Sequence, residues 1–473
     1  MYLSTDVVTC LCCSVGFLRA VWKYNSAYST LTVIATMHHG IWNYPFPAVT
    51  FCNNNQISSR KVQEFVKNLT IVNNLSREFI LDEMKLLLEM LDPDIFEDDL
   101  DSNFTVLQDI FDVNNYSISH IMSLVRQDCS NLLKSCKWKG TYVPCHEIFH
   151  ESYSRDGLCC SFNYFNSEST IEAKTVPKRL TACGYQTGLT VLIDAEPDDY
   201  YSSLYGSYGV KVMIHYPYNY PDRSSEYKLI GLGVQSFLAI APQEVYSTAA
   251  VKNLPLSARQ CIFEDEILPK ELQVLMRTVG QRANYSYVNC LNRCRISIIE
   301  NECGCFPYYS PQNRSRECNL RDIRCLSDIK SLIDTSWPGI NVNHADLTTV
   351  DIDIRRKPCG CLFDCSIYRY PVDASEGIID TEQFYGDRIK ESSSLKNYSV
   401  VNIFYVDFIS TQYRREVYYN WKNFFASFGG LLGLSVGFSL ISAFELLYFF
   451  VVRVIVDICI ARKNERAERN VNQ

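Results

Sequence analysis

Four residues near the end of the chain have the types and spacing to handle a cation stripped of water. Gly437, Phe438 and Ser439 stand in succession, and Glu445 follows six residues beyond Ser439. Small residues and backbone carbonyls at a constriction can replace an ion's hydration shell. They sit in the run 421–456, WKNFFASFGGLLGLSVGFSLISAFELLYFFVVRVIV, whose stretch 424–452 carries one charged side chain, Glu445. That is long enough to span a bilayer as a tilted helix. Gly429, Gly433 and Gly437 recur every fourth residue, with Ser435, Ser439 and Ser442 near the same stripe. Small residues so spaced let helix backbones approach closely in lipid. A carboxylate there costs roughly 2.5–3.5 kcal/mol on insertion scales, which argues for a water-filled path. The plain alternative is a helix-packing stripe with a snorkelling Glu445.

Cysteine supplies the second chemistry. The chain has 473 residues, 47% hydrophobic, a formal charge of −8 and 21 cysteines. It is too long for one ordinary domain and too mildly acidic to suggest nucleic acid. Cys10, Cys12, Cys13 and Cys459 flank or occupy apolar segments, and the other 17 lie between Cys52 and Cys365. Such clustering predicts a disulfide framework in an oxidising space. Only His146 lies close to a cysteine, so no zinc or other metal site is expected. Asn-x-Ser/Thr sequons at Asn68, Asn74, Asn103, Asn115, Asn284, Asn313 and Asn397 fall in the same stretch and are glycosylation candidates. There is no P-loop and no nucleophile elbow, and Gly437-Phe438-Ser439 has no base beside it; no enzyme and no cofactor are expected.

The elements that must position these residues follow from pattern. Residues 7–22 are apolar but short and carry Arg19; with no basic n-region and no clear cleavage site, they read as a first span at residues 1–24 rather than a signal peptide, with part of that span upstream of this chain. Basic residues Arg453, Arg462, Lys463, Arg466 and Arg469 follow the second span, but Arg414, Arg415 and Lys422 precede it. Charge therefore leaves orientation open, and the cysteines and sequons place the loop outside and both ends inside. Residues 23–43 read as an extended connector. Residues 64–91 repeat apolar positions at three and four, a peripheral amphipathic helix, and the acidic stretch 92–101 as a solvated loop that fits no calcium-binding pattern. Residues 187–217 read as strands and 264–299 as mostly helical. Cys290 and Cys294, one turn apart, share a helix face and can staple it to a distant segment. A strand at 400–409 leads almost directly into the second span.

Four blocks together resemble the epithelial sodium channel/degenerin family, most of all its insect pickpocket branch. They are Pro45-Phe-Pro-Ala-Val-Thr-Phe-Cys-Asn53, Gly157-Leu-Cys-Cys-Ser-Phe-Asn163, the cysteine series from Cys261 to Cys365, and the Gly-rich run ending at Phe444-Glu445-Leu446. The resemblance implies an α+β membrane protein with two transmembrane helices flanking a large disulfide-rich, β-rich extracellular domain. That domain would cover residues 25–420, with a helical thumb at 261–365; the pore-lining span would cover 421–456 and a short cytoplasmic tail 457–473. It implies a plasma-membrane homo- or hetero-trimer of related subunits, sodium-selective, amiloride-blockable and gated by an extracellular stimulus, with sodium the permeant ion and no nucleic-acid partner. The family's selectivity filter falls on Gly437, Phe438 and Ser439, its amiloride-contact region around Gly430 and Gly433, and its degenerin gate position on Ala426. Its pairings imply Cys52–Cys159, Cys136–Cys145, Cys261–Cys365, Cys290–Cys361, Cys294–Cys359, Cys303–Cys325 and Cys305–Cys318. Cys160–Cys183 is then expected, which strands Cys129.

Two departures qualify the resemblance. The family's cytoplasmic His-Gly gating motif has no counterpart, since His39-Gly40 falls on the extracellular side. Acid-sensing members carry Trp three residues before the first thumb cysteine; here that residue is Ala258, which disfavours proton gating. The competing expectation is a non-conducting or modulatory cell-surface subunit that retains the ectodomain.

Overall fold

The computed structural model describes residues 2–27, 29–71, 75–93, 100–165, 176–277, 285–310, 316–335, 359–379, 397–418, 421–437 and 439–471. The chain forms two compact units, one from residues 1–33, 247–260 and 415–473, the other from 34–246 and 261–414.

The larger unit is built on two sheets. The first is antiparallel, in the order Glu226–Ile230, Val210–His215, Ala48–Asn53, Gly157–Phe162, Phe149–Ser154. The second runs Val372–Ile378, Val234–Ile240, Tyr398–Tyr405, Leu189–Asp194, Leu133–Trp138, Thr141–Val143, with one parallel pairing between Val234–Ile240 and Tyr398–Tyr405. Period-two alternation decides which face each side chain joins. Val212 lies opposite Phe51 and Ile214 opposite Val49. These residues share one buried core with Val191, Ile193, Val401 and Ile403 of the second sheet. On the reverse face Met213 packs against Cys52 and Cys159. A further sheet has the order Thr30–Gly40, Ile409–Val417, Gln243–Ser247, Ile367–Arg369.

A helical layer forms a second core in this unit. The helices Ser59–Asn68, Leu100–Val113, Ile118–Val125, Tyr287–Cys303 and Ile323–Ile333 each contribute to it. Here the reading of 64–91 as one peripheral helix is corrected. The segment is Ser59–Asn68, then Arg77–Glu83, then a 3-10 helix Met84–Met90. Ser58 and Ser76 each accept a backbone N–H and cap a separate start. Its apolar stripe is core, not surface: Ile80, Met84 and Leu87 are 0% exposed.

Two further expectations change. The strand that was to lead into the second span ends at Tyr405, and another strand, Ile409–Val417, intervenes before the helix Trp421–Val436. Its sequence ISTQYRREV does alternate, with Ile409, Tyr413 and Val417 at one parity and Ser410, Gln412, Arg414 and Glu416 at the other, but Thr411 and Arg415 dilute the apolar parity. The expected Cys160–Cys183 bridge is absent: Cys160 pairs with Cys129, and Cys183 keeps a free thiol. Adjacent Cys159 and Cys160 project from opposite faces of one strand. Cys159 therefore meets Cys52 while Cys160 meets Cys129, at the start of the short helix Cys129–Leu132. Cys183 is held elsewhere, since the next residue's N–H donates to Tyr405 O at 2.9 Å.

In the smaller unit the helix Tyr2–Ala27 ends near a turn where Tyr418 N–H donates to Ser29 O and Tyr24 meets Tyr418 edge-on. Among the described residues no helix is long and apolar enough to cross a membrane. The run 421–456 is divided into Trp421–Val436, Leu440–Leu447, a π turn Tyr448–Val452 and the start of Arg453–Val471.

Candidate functional site

The division of that run falls on the residues whose types suggested ion chemistry. Gly437 has φ +66°, in the left-handed region, and its N–H donates to Gly433 O at 3.1 Å. A glycine in that conformation ends a helix without a Cβ clash. Two residues on, Ser439 is extended and begins the next helix with a capping box: its Oγ accepts from Ser442 N–H, and Ser442 Oγ accepts from Ser439 N–H. Phe438 lies outside the described residues. A span expected as one helix is thus two half-helices meeting at Gly437–Ser439. The last carbonyls of the first half have no intrahelical donors, and the negative end of its dipole favours a cation.

Other residues singled out by type are arranged around this break. Ala426, Gly430 and Gly433 are spaced by four and three on the helix Trp421–Val436 and share a face. A Cβ built on Gly429, Gly430 or Gly437 meets nothing within 4 Å. Glu445 lies on Leu440–Leu447, one turn beyond Ser442, and is exposed.

In the larger unit the disulfides shape the thumb. Cys290–Cys361 and Cys294–Cys359 leave one face of Tyr287–Cys303, Cys303–Cys325 joins that helix to Ile323–Ile333, Cys305–Cys318 closes the connection between them, and Cys261–Cys365 ties the root. Cys52–Cys159 and Cys136–Cys145 brace the sheets. Of the glycosylation candidates, Asn68 and Asn115 are exposed, whereas Asn103, which donates to Glu83, and Asn397 are half-buried. Asn74, Asn284 and Asn313 lie outside the described residues.

A set of ion pairs was not foreseen from sequence. Lys211 Nζ bonds Asp156 Oδ2 with both side chains under 5% exposed, and Arg223 Nε donates to Asp156 Oδ1 at 2.9 Å. Arg223 and Lys330 also reach Asp92, at 3.4 and 3.0 Å. Arg155 pairs with Asp334, and Arg295 with Asp222 at 3.0 Å. Burial works against the charge on Asp222, but Arg295, Ser224 and Arg155 outweigh it and hold the carboxyl below its usual range. The set joins the helix Ile323–Ile333 to the sheets through fixed cations. Lys211 is a lone charge in GVKVMIH, while Arg155-Asp156 and Asp222-Arg223 are adjacent opposite charges whose actual partners lie far along the chain, so no spacing announces the pairing. His215 is likewise buried: burial pushes it down to about 4, Nδ1–H donates to Tyr216 O and Nε2 accepts from Thr50 Oγ1.

The family model described as amiloride-sensitive sodium channel matches residues 5–449. The chain is similar to sodium channel protein Nach of Drosophila melanogaster, 26% identical over 486 residues, covering 99% of this chain and 83% of that protein. It is similar to pickpocket protein 28 of Drosophila melanogaster, 23% identical over 93% of this chain and 72% of the other. A mouse protein, the bile acid-sensitive ion channel of Mus musculus, is 23% identical over 86% of this chain and 73% of its own length.

Proposed function

Because this chain belongs to the amiloride-sensitive sodium channel family, we propose that it is one subunit of a trimeric, sodium-selective, amiloride-sensitive channel of the plasma membrane. In this reading the larger unit is extracellular and both termini are cytoplasmic. Residues 1–24 and 421–456 span the bilayer, and an extracellular stimulus gates the pore through the disulfide-rich domain. The observation that supports it most is the helix break at Gly437–Ser439, which lies within the family match. Non-helical backbone at membrane depth is tolerated where it lines a water-filled cavity. Discontinuous helices that turn carbonyls and termini toward an ion are how membrane proteins build such sites. Gly437, Phe438 and Ser439 then form the filter, Glu445 adds negative charge beyond it, and Gly430 and Gly433 provide the small surface that amiloride meets.

The gate lies at Ala426. Three symmetry-related helices converge there, and a methyl group permits close packing in the shut state. Added volume is rejected at roughly 1–3 kcal/mol per site, and each 1.4 kcal/mol is about tenfold in a two-state equilibrium. Ala426→Val therefore produces a resting sodium current that amiloride blocks. Channels with Ala426→Val that reach the surface and answer their stimulus, yet show no rise in resting current, place Ala426 on lipid and refute the gate.

A further inference from the structure

In the larger unit a cleft of about 700 Å³, open to solvent, lies between the segment that follows Val210–His215 and the root of the thumb. That volume is in the range of small-molecule sites. One wall is aromatic: Tyr216 and Tyr368 stack with centroids 5.2 Å apart and planes 10° apart, and Tyr218 lies 5.6 Å from Tyr216. Burial raises all three phenols, so they remain neutral and offer ring faces rather than charge. The rest of the lining carries Glu244, Glu264, Asp265 and Asp364, and among the described residues no lysine, arginine or histidine.

Two features show that the lining lacks something. Asp364 accepts the Tyr287 N–H at 3.1 Å, and burial, with Glu264 adding to it, pushes its carboxyl up to about 6. A carboxylate burdened this way in a cleft is stabilised by an arriving cation. Asn219, also in the lining, has a buried side-chain oxygen with no donor among the described residues. The frame is rigid: Cys261–Cys365 closes the root, Tyr285 Oη accepts the Leu362 N–H at 2.9 Å, and Asn289 holds both Tyr218 O and Tyr220 N–H. A preformed site loses little to ordering on binding. Among the described residues no three acidic, histidine or cysteine side chains converge closely enough to hold a metal ion. Carboxylates spread around stacked rings suit a larger cation that uses both charge and ring faces.

We propose that this cleft binds a small organic cation, a protonated amine carrying an apolar or aryl body, with the ammonium toward Glu264 and Asp364 and the body against Tyr216, Tyr218 and Tyr368. The test reads binding to the purified full chain, so it stands or fails separately from ion conduction. The probe is 2-phenylethylamine, against 2-phenylethanol as its uncharged counterpart, titrated by calorimetry. The amine is expected to bind at least about tenfold more tightly than the alcohol, and Glu264→Gln and Tyr218→Ala each to weaken it by about tenfold. Glu264 is exposed, so its variant keeps the test intact where Asp364→Asn fails to fold. Equal binding of amine and alcohol, no binding of the amine, or unchanged affinity in both variants overturns the proposal. So does displacement of the amine by an equal concentration of calcium, which assigns the carboxylates to a metal instead.

Discussion

In the sheets of the larger unit, Phe51, Val212 and Val401 are 0% exposed, whereas in the run 421–456 Ile441, Phe444 and Phe450 are 70, 70 and 73% exposed. Both segments are apolar by sequence. The first buries its side chains within one chain, between two sheets. The second presents them outward along helices divided at a glycine. A single chain completes the first kind of structure. In the proposed reading, lipid and related subunits cover the second. Intramolecular burial and bonding decide the stability of the sheet unit, and in the proposed reading the backbone conformation of a few small residues sets the function of the other.

If that contrast holds, the largest effects on folding come from the sheet unit's buried charges. Asp156→Ala leaves Lys211 charged and buried with its principal anion gone, and breaking one side of a buried pair costs roughly 3–5 kcal/mol. Surface expression should be lost or the thermal midpoint should fall steeply. A variant that folds like the parent means the pair contributes no net stability.

Cysteine tests are next in size. Cys129–Cys160 closes a loop with a sequence separation of 31 residues, worth about 3.7 kcal/mol in the chain-entropy account. Cys129→Ser should destabilise by about that amount, whereas Cys183→Ser should change stability by no more than about 0.5 kcal/mol. Peptide mapping of non-reduced protein should recover the 129–160 link; a 160–183 link restores the pairing expected from the cysteines left over after the family's seven.

The smallest effect is a pH dependence. His215 folds with its pKa lowered to about 4, below an unfolded value of about 6.5. The neutral ring's contribution is thus complete above pH 6.5 and is lost as pH falls toward 4, because the unfolded chain takes up the proton first. The loss reaches at most roughly 3 kcal/mol. His215→Gln should flatten the thermal midpoint between pH 6.5 and 4; an unchanged slope assigns the acid sensitivity to other groups.

Legibility in the sequence followed the range of the interaction. The strands near Val191 and Val212 and the helix bearing Cys290 were readable because their patterns are local. The thumb pairings were readable through the resemblance, whereas the Cys160 partner was not: Cys129, Cys160 and Cys183 are chemically equivalent in a sequence, and only the docking of Gly184 on Tyr405 separates them. The strand Ile409–Val417 does alternate, but Thr411 and Arg415 interrupt its apolar parity and left it without a strong strand signal. Ile80, Met84 and Leu87 were visible as a stripe, but whether a stripe faces solvent-side partners or a core depends on distant helices. At the candidate site the glycine and serine spacing was legible, while the break itself was not, since a run of apolar residues reads as one helix until Gly437 takes a positive φ.

In the proposed channel, sodium is selected at the break at Gly437–Ser439. The direct measurement is the reversal potential in mixed sodium and potassium solutions for cells expressing the parent chain, Gly437→Ala and Ser439→Cys, with surface expression checked in each. A methyl group at a positive φ and a larger, softer atom at the capping serine should both lower the sodium-to-potassium permeability ratio while protein still reaches the surface. Reversal potentials unchanged in both variants, with currents intact, contradict the assignment.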